Sequence, residues 1–403
     1  MHDNDALLLL DVSRLVWRRW TGTRPTGIDR ICLAWLDHYA SNAQAVIIQR
    51  HGKAILPMRA SQALFRALQQ PDRGRRDTAR FRRNIVGLAL RWGMRVRDRL
   101  DGRGRLWLNA GHTGLNVPGM AVWCRKRNVR PVYLVHDLIP ITHPEFCRSG
   151  EDERHRRRMR TVLATGAGVV ANSAHTLETL VDFAGTEGAA MPASTAIWPG
   201  TPRLSAPSPE QDGEEGGPTF VVLGTIEGRK NHRLLLSVWQ DLLASAAPDT
   251  PMKNLPQLVI VGRRGWQADD VFETLDTTDF RGRVVEAGPL DDQQLAGLLA
   301  KARALLFPSF AEGYGIPLAE ALAAGLPVIA SDLPVFREIG QGVPELLPPA
   351  DRDAWRNAIL DYASPNSVSR TEQLQRMTAF TPYEWRNHFA KLDDFLLKLQ
   401  AHA

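Results

Sequence analysis

The chain has 403 residues, 44% of them hydrophobic and 23% charged, which excludes a wholly disordered polymer and fits two or three domains. Lys and Arg number 50 against 44 Asp and Glu, a net charge of +6. The surplus is uneven: residues 1–205 hold 32 basic and 17 acidic side chains, and residues 206–403 hold 18 and 27. A basic half followed by an acidic half implies two modules with different partners. Cys32, Cys124 and Cys147 are odd in number and form no CxxC pair, so neither a disulfide framework nor a thiolate zinc site is indicated. Asp3 and Asp5 stand where a secretory signal needs positive charge. No stretch approaches the roughly 18 apolar residues of a membrane span. The expectation is a cytoplasmic protein, with peripheral attachment to the inner face of a membrane left open.

Short apolar runs recur along the chain. They lie at residues 6–12, 45–49, 106–110, 132–135 and 168–171, and then at 220–223, 258–261, 283–286, 304–307 and 327–330. Short runs without strict alternation suit strands buried on both faces of parallel sheets. Leu and Ala at helical spacing mark 231–245 and 292–303. Strands alternating with helices predict an α/β fold, and two such series predict two Rossmann-like domains. The stretch 205–218, SAPSPEQDGEEGGP, reads as a linker. The expected domains are 1–205 and 219–375. Residues 382–400 place Trp385, Phe389, Leu392, Phe395, Leu396 and Leu399 on one helical face, and this helix is expected to pack back on the first domain.

Between Arg73 and Arg105 lie twelve Arg and three Asp, with Ile85, Val86, Leu88, Leu90, Trp92, Met94 and Val96 among them. This predicts a basic amphipathic helix, of the kind that lies on an anionic membrane surface. An ordinary Arg-rich surface helix or a contact with an anionic acceptor would read the same way. No recognised nucleic-acid-binding motif accompanies the charge, so no nucleic acid partner is expected.

The densest chemical signal is FAEGYGIPLAEALAAGL at residues 310–326, directly after the apolar run 304–307. Glu312 and Glu320 flank Gly313, Tyr314 and Gly315, which supply a turn and exposed backbone N–H groups. Pro317 suits the first turn of a helix and Gly325 its end. Glu320 is then expected in the first helical turn, where the helix dipole favours an ionised carboxylate able to accept from a ribose diol. Glu312 is expected in the loop at a strand's carboxyl end, where open α/β sheets bind ligands. Upstream, Arg229 and Lys230 follow the run 220–223 and open a helix. Cations are poorly placed at a helix start unless an anion sits there. His136 and Asp137 follow the run 132–135, and Arg263 and Arg264 follow 258–261, a position that usually faces a nucleotide; Trp266 is expected to pack.

These stretches resemble the donor-site signature of retaining GT-B glycosyltransferases of the GT4 family. The resemblance covers residues 219–345, through Glu312–Glu320 with GLPVIASDLPVFREIG (325–340), LGTIEGRKNHRLLL (223–236), LVIVGRRGW (258–266) and AGPLDDQQLAGLLAKARALLFPS (287–309). In the first half, TGIDRICLAWL (26–36), VHDLIPITHPEF (135–146) and VVANSAHTLETL (169–180) match more loosely, and 51–105 match nothing. The resemblance implies two Rossmann-like domains with parallel sheets facing across a central cleft, the first binding acceptor and the second donor. It assigns Arg229 and Lys230 to the diphosphate and Glu320 to the ribose. Glu312 falls on the transferred sugar, His136 on the same sugar or its developing charge, and Gly27 near the phosphates. Gly313, Tyr314, Gly315 and Arg263 complete the implied nucleotide-sugar site. Many relatives carry Arg where Thr225 stands, so one phosphate ligand differs.

No metal site or cofactor is expected. The DxD-like Asp351-Arg352-Asp353 and the run Glu151-Asp152-Glu153 both read as solvated surface, and fixed Arg and Lys charges can serve the diphosphate. The reading is a retaining, metal-independent glycosyltransferase using a nucleotide diphosphate sugar, with GDP-mannose the first guess. The acceptor is a saccharide or lipid-linked saccharide, in bacterial surface polysaccharide assembly. The alternatives are a nucleotide-sugar epimerase on the same fold and a non-catalytic carbohydrate-binding scaffold.

Overall fold

The computed structural model describes residues 7–23, 26–49, 52–70, 74–91, 100–202, 217–247 and 249–401. Most of the linker stretch, and residues 92–99 of the basic segment, lie outside them. The chain divides into two compact units. The first comprises Met1–Leu138, Glu153–Pro199 and Trp385–Ala403; the second comprises Ile139–Asp152 and Gly200–Glu384. The stretch 139–152, expected in the first domain, thus makes its contacts with the second unit.

The first unit is built on β1 (Leu8–Asp11), β2 (Ala43–Gln49), β3 (Gly52–Ile55), β4 (Arg105–Asn109), β5 (Val129–Val135), β6 (Gly168–Ala171) and β7 (Ala193–Ala196). Their order is β3-β2-β1-β4-β5-β6-β7, all neighbours parallel except the β2/β3 hairpin. Trp35, Trp107 and Tyr133 are among its largest fully buried side chains. The helix Trp385–Ala401 presses Phe395 and Leu399 onto Gly168 of β6, where a Cβ would lie 2.5 Å from Leu399 Cδ1. Its His388 is fully buried, accepting at Nε2 from the Trp35 indole at 2.9 Å and donating from Nδ1 to the Trp198 carbonyl at 2.8 Å.

The second unit carries β8 (Thr219–Leu223), β9 (Gln257–Val261), β10 (Val284–Glu286), β11 (Ala304–Phe307), β12 (Val328–Ser331) and β13 (Glu345–Leu347). These form a wholly parallel sheet of order β10-β9-β8-β11-β12-β13. The central strands are largely apolar and buried, β11 from end to end, as befits a parallel sheet covered on both faces. Trp239, Trp355 and Tyr362 fill the core beneath Phe220, Leu306 and Ile329. In both sheets the strand order reverses beside the first strand, between β1 and β4 and between β8 and β11. Such reversals open a crevice at the strands' carboxyl ends, the usual ligand position of doubly wound sheets.

Segment 75–91 is helical, with Phe81 buried and Arg76, Arg80, Arg82, Arg83 and Val86 exposed. Among the described residues no helix is long and apolar enough to cross a membrane.

Candidate functional site

In the second unit the crevice beside β8 and β11 gathers residues 82 positions apart in sequence. After β8 the chain turns at Gly224, whose φ is +132°. A side chain there would be strained and would meet Lys230 Cε at 3.3 Å. The loop then forms a single turn, Gly228–Lys230, before the helix His232–Ser245. After β11 the loop reaches Glu312 and Gly315. Gly315 sits at φ +99°, and a Cβ there would lie 2.7 Å from Phe336 Cε1, so only glycine fits where the helix Ile316–Ala323 begins.

The two loops are joined by charge. Lys230 Nζ donates to Glu312 Oε1 at 2.5 Å and Arg229 Nη1 pairs with the same oxygen at 2.7 Å. Arg229 Nε pairs with Glu227 Oε1 at 2.7 Å. The Ser309 hydroxyl donates to Glu312 at 2.9 Å, and Lys230 Nζ lies 4.5 Å from the centre of the Phe307 ring. Burial alone would raise the Glu312 carboxyl, but the Arg229 and Lys230 charges outweigh it and hold it at about 2. Burial lowers Lys230 against the pull of Glu312, and burial raises Glu227 against the same cations. Two carboxylates therefore balance two cations in a site largely shielded from solvent. An anion with several oxygens can replace the carboxylates one contact at a time.

Glu320 is buried, but it is the fifth residue of its helix, and the first turn contains no acid. The expected first-turn placement fails because Gly315 caps the helix and Pro317 occupies its second position. The dipole's effect is concentrated in the first turn and reaches Glu320 weakly. The helix closes as expected at Gly325. It has φ +78°, its N–H donates to the Leu322 carbonyl, and the Leu326 N–H donates to that of Ala321, a Schellman stop. Gly313 and Tyr314 are buried, and burial raises the Tyr314 hydroxyl.

Arg263 is exposed, whereas Arg264 is committed elsewhere. Arg264 pairs with Asp276 at 2.6 Å and Glu286 at 2.8 Å and covers Phe272, so it does not serve the crevice as its place after β9 suggested. Trp266 packs under the Arg148 guanidinium, 4.7 Å from its ring centre. Thr225 is half-buried and packs where a side chain on Gly265 would stand.

The first unit has its own polar edge at the carboxyl ends of β1, β4 and β5. His136 is buried and its Nε2–H donates to the Ala110 carbonyl at 2.6 Å. His112 Nε2–H donates to the Leu134 carbonyl at 2.6 Å, so the two histidines lace one strand end to the next, with ring centres 5.1 Å apart. Burial lowers His136 to about 4, beyond what the Ala110 carbonyl and Asp137 restore. At neutral pH His136 is therefore an uncharged ring whose Nδ1 lone pair accepts, rather than a cation. Gly27 is the first residue of the helix Gly27–Tyr39. Thr26 caps that helix, and Asp29 pairs with Arg14 at 2.6 Å and Arg18 at 2.8 Å.

Sequence reasoning missed Glu227, although it stands two residues before Arg229. It also missed Asp11 and Asn172. Asp11 Oδ2, Asn109 Oδ1 and Asn172 Oδ1 are buried without a hydrogen-bond partner among the described residues. All three lie at or just past the carboxyl ends of parallel strands; a polar residue closing an apolar run was the available signal. Among the described residues no group of three or more His, Cys, Asp or Glu is arranged to hold a metal ion.

Residues 217–364 match the family described as glycosyl transferases group 1. A serotype-specific mannosyltransferase WbdA of Escherichia coli is 30% identical over 230 residues, covering 52% of this chain and 27% of the relative. The O-antigen chain mannosyltransferase B of Escherichia coli is 30% identical over 167 residues, covering 41% of this chain and 42% of the relative. The match thus spans about a quarter of WbdA and less than half of the second relative. Among solved structures, Anabaena HepE in complex with UDP-glucose superposes with a TM-score of 0.65 at 16% identity, covering 97% of this chain and 99% of that one. Sucrose-phosphate synthase from Thermosynechococcus elongatus gives 0.59 at 17% identity, over 98% and 99%. The two doubly wound sheets and these superpositions define a GT-B fold. The family match lies in the second unit, so this part of the chain is similar to the glycosyl transferases group 1 family.

Proposed function

We propose that the chain transfers a hexosyl group from a nucleotide diphosphate sugar to a saccharide or lipid-linked saccharide in surface polysaccharide assembly, with retention and without a metal. The observation that carries this reading is the shielded Arg229–Lys230 pair at the strand-order reversal, held by Glu312 and Glu227. A departing diphosphate gains charge as the glycosidic bond breaks, and positioned cations stabilise that charge most in the transition state. Glu312 is then released toward the transferred sugar, with Glu320 as ribose acceptor. The sugar C1–O bond to phosphate breaks, a bond from C1 to the acceptor oxygen forms on the same face, and the acceptor proton passes to the leaving phosphate. Neutral His136 accepts a hydroxyl hydrogen bond through Nδ1 rather than supplying charge. The mannosyltransferase relatives support a mannosyl group as the one transferred, and GDP-mannose is the first donor to test.

A thermal-shift series with GDP, UDP, dTDP and ADP tests this, because a ligand that binds only the native state raises its apparent stability. One nucleotide, expected to be GDP, should raise the melting temperature, and its sugar conjugate should release it when acceptor is added. Conversion of the sugar nucleotide into an epimer with no acceptor present would favour the epimerase alternative. No shift with any of the four would remove the reading.

The basic helix supports an anionic membrane surface as partner. Arg76, Arg80 and Arg83 are exposed on one face of 75–91. Nearby on the same unit, Trp17 is 65% exposed, one turn before Trp20, whose ring lies 5.8 Å from the Arg82 guanidinium. Near-surface basic residues contribute about 1 kcal/mol each to binding anionic lipid. The protein should sediment with phosphatidylglycerol vesicles and stay in solution with phosphatidylcholine vesicles. Arg80→Glu with Arg83→Glu should release it, and equal sedimentation of that variant would exclude this face.

A further inference from the structure

The loop that carries Arg229 and Lys230 is braced by a segment far from it in sequence. Residues 139–152 belong to the second unit and run along this loop. The Phe146 ring stacks on Phe310, with centroids 5.1 Å apart and planes at 5°. The Phe310 N–H donates to the Arg229 carbonyl at 2.8 Å, and the Ala311 carbonyl accepts from Arg229 Nη1 at 3.0 Å. Glu312, the next residue, takes the Lys230 ammonium. Phe146 also reaches the clamp directly. Its Cδ1 lies 3.5 Å from where a Cβ on Gly228 would stand, and the Gln267 carbonyl lies 2.7 Å from the same point. The segment is secured at two further places. Gln267 Nε2 donates to the Cys147 carbonyl at 3.1 Å, and Arg148 covers Trp266.

We propose that Phe146 is a positioning residue for the diphosphate clamp. Stacked on Phe310, it fixes the loop after β11, and through the Phe310–Arg229 contact it fixes the direction in which Arg229 and Lys230 present their charges. The inference rests on the reading of that pair as diphosphate ligands. Its physical basis is preorganisation: freedom a cation-bearing loop loses during folding is not lost again when the anion arrives. A planar ring is required because stacking depends on parallel faces, which an aliphatic side chain of similar volume lacks.

The test is calorimetric titration of GDP, or whichever of UDP, dTDP and ADP binds best, into the full chain and four variants. Lys230→Ala is the control for the underlying reading. Phe146→Ala and Phe146→Leu are expected to weaken binding roughly tenfold, the size of one lost aromatic stack. Phe146→Tyr keeps the face and should bind within about twofold of wild type. Wild-type affinity in Phe146→Leu or Phe146→Ala, with binding lost in Lys230→Ala, would overturn the positioning role and leave the clamp reading standing. If the unaltered protein binds none of the four nucleotides, the clamp reading fails first. Equal weakening in Phe146→Tyr would also overturn the proposal, since stacking would then not be the property that matters.

Discussion

Replacing Lys230 by alanine is expected to lower kcat/KM for sugar transfer by about a hundredfold, the cost of one preorganised charge stabiliser lost from a shielded site. Steady-state kinetics with the donor varied would measure it. Arg229 remains in the variant and still pairs with Glu312, so the carboxylate is not left alone and the fold should survive. Glu312→Gln should act in the opposite sense on one quantity. It keeps the shape but removes the charge that occupies Lys230 and Arg229, so free nucleotide diphosphate should bind more tightly while transfer slows. If both variants weaken nucleotide binding alike, Glu312 does not compete with the diphosphate for the cations.

Asp11→Asn is expected to change the pH dependence of stability strongly. Burial raises the Asp11 carboxyl from 3.8 to about 7, against the lowering effect of the Ser13 N–H and hydroxyl. The folded state therefore holds this proton more tightly than the unfolded state. Its stabilising effect is fully present below pH 4 and is lost as pH rises through 7. At about 1.4 kcal/mol for each tenfold difference in proton affinity between the two states, the loss amounts to roughly 4 kcal/mol. Asparagine keeps the oxygen that accepts from Ser13 N at 3.0 Å and never ionises. Urea unfolding at pH 5 and pH 8 should show a large drop in the wild-type protein and a much smaller one in the variant. An unchanged slope would mean that Asp11 ionises in the folded protein at its ordinary value.

The parallel-sheet fold was legible because central strands need apolar runs on both faces. The runs at 168–171 and 304–307 coincide with β6 and β11 end to end, and most others differ by one to three residues. The strands that escaped notice are β3, β7 and β13, and each lies at a sheet edge. An edge strand is paired on one side and partly solvated, so sequences such as ASTA in β7 carry no apolar signature. The charged residues of the candidate site could be singled out in the sequence, but their wiring could not. In the sequence Lys230 and Glu312 suggest separate tasks, one for a phosphate and one for a sugar. Nothing local reveals that they bond to each other, since the contact is made by two loops that meet only when β8 and β11 pair. Glu320 shows the same limit in miniature, because moving a helix start by one residue turns a side chain by about 100° around the axis.

The helix Trp385–Ala401 belongs to the unit that contains the chain's first strand, yet it follows every residue of the other unit. On the ribosome, β1 through β7 emerge early and must wait for the buried partner of Trp35 until some two hundred further residues have been translated. The unit started first is thus the one completed last. Until then it exposes the apolar trough around Gly168 and Trp35, which makes the nascent chain, rather than the finished protein, the form most dependent on chaperone protection.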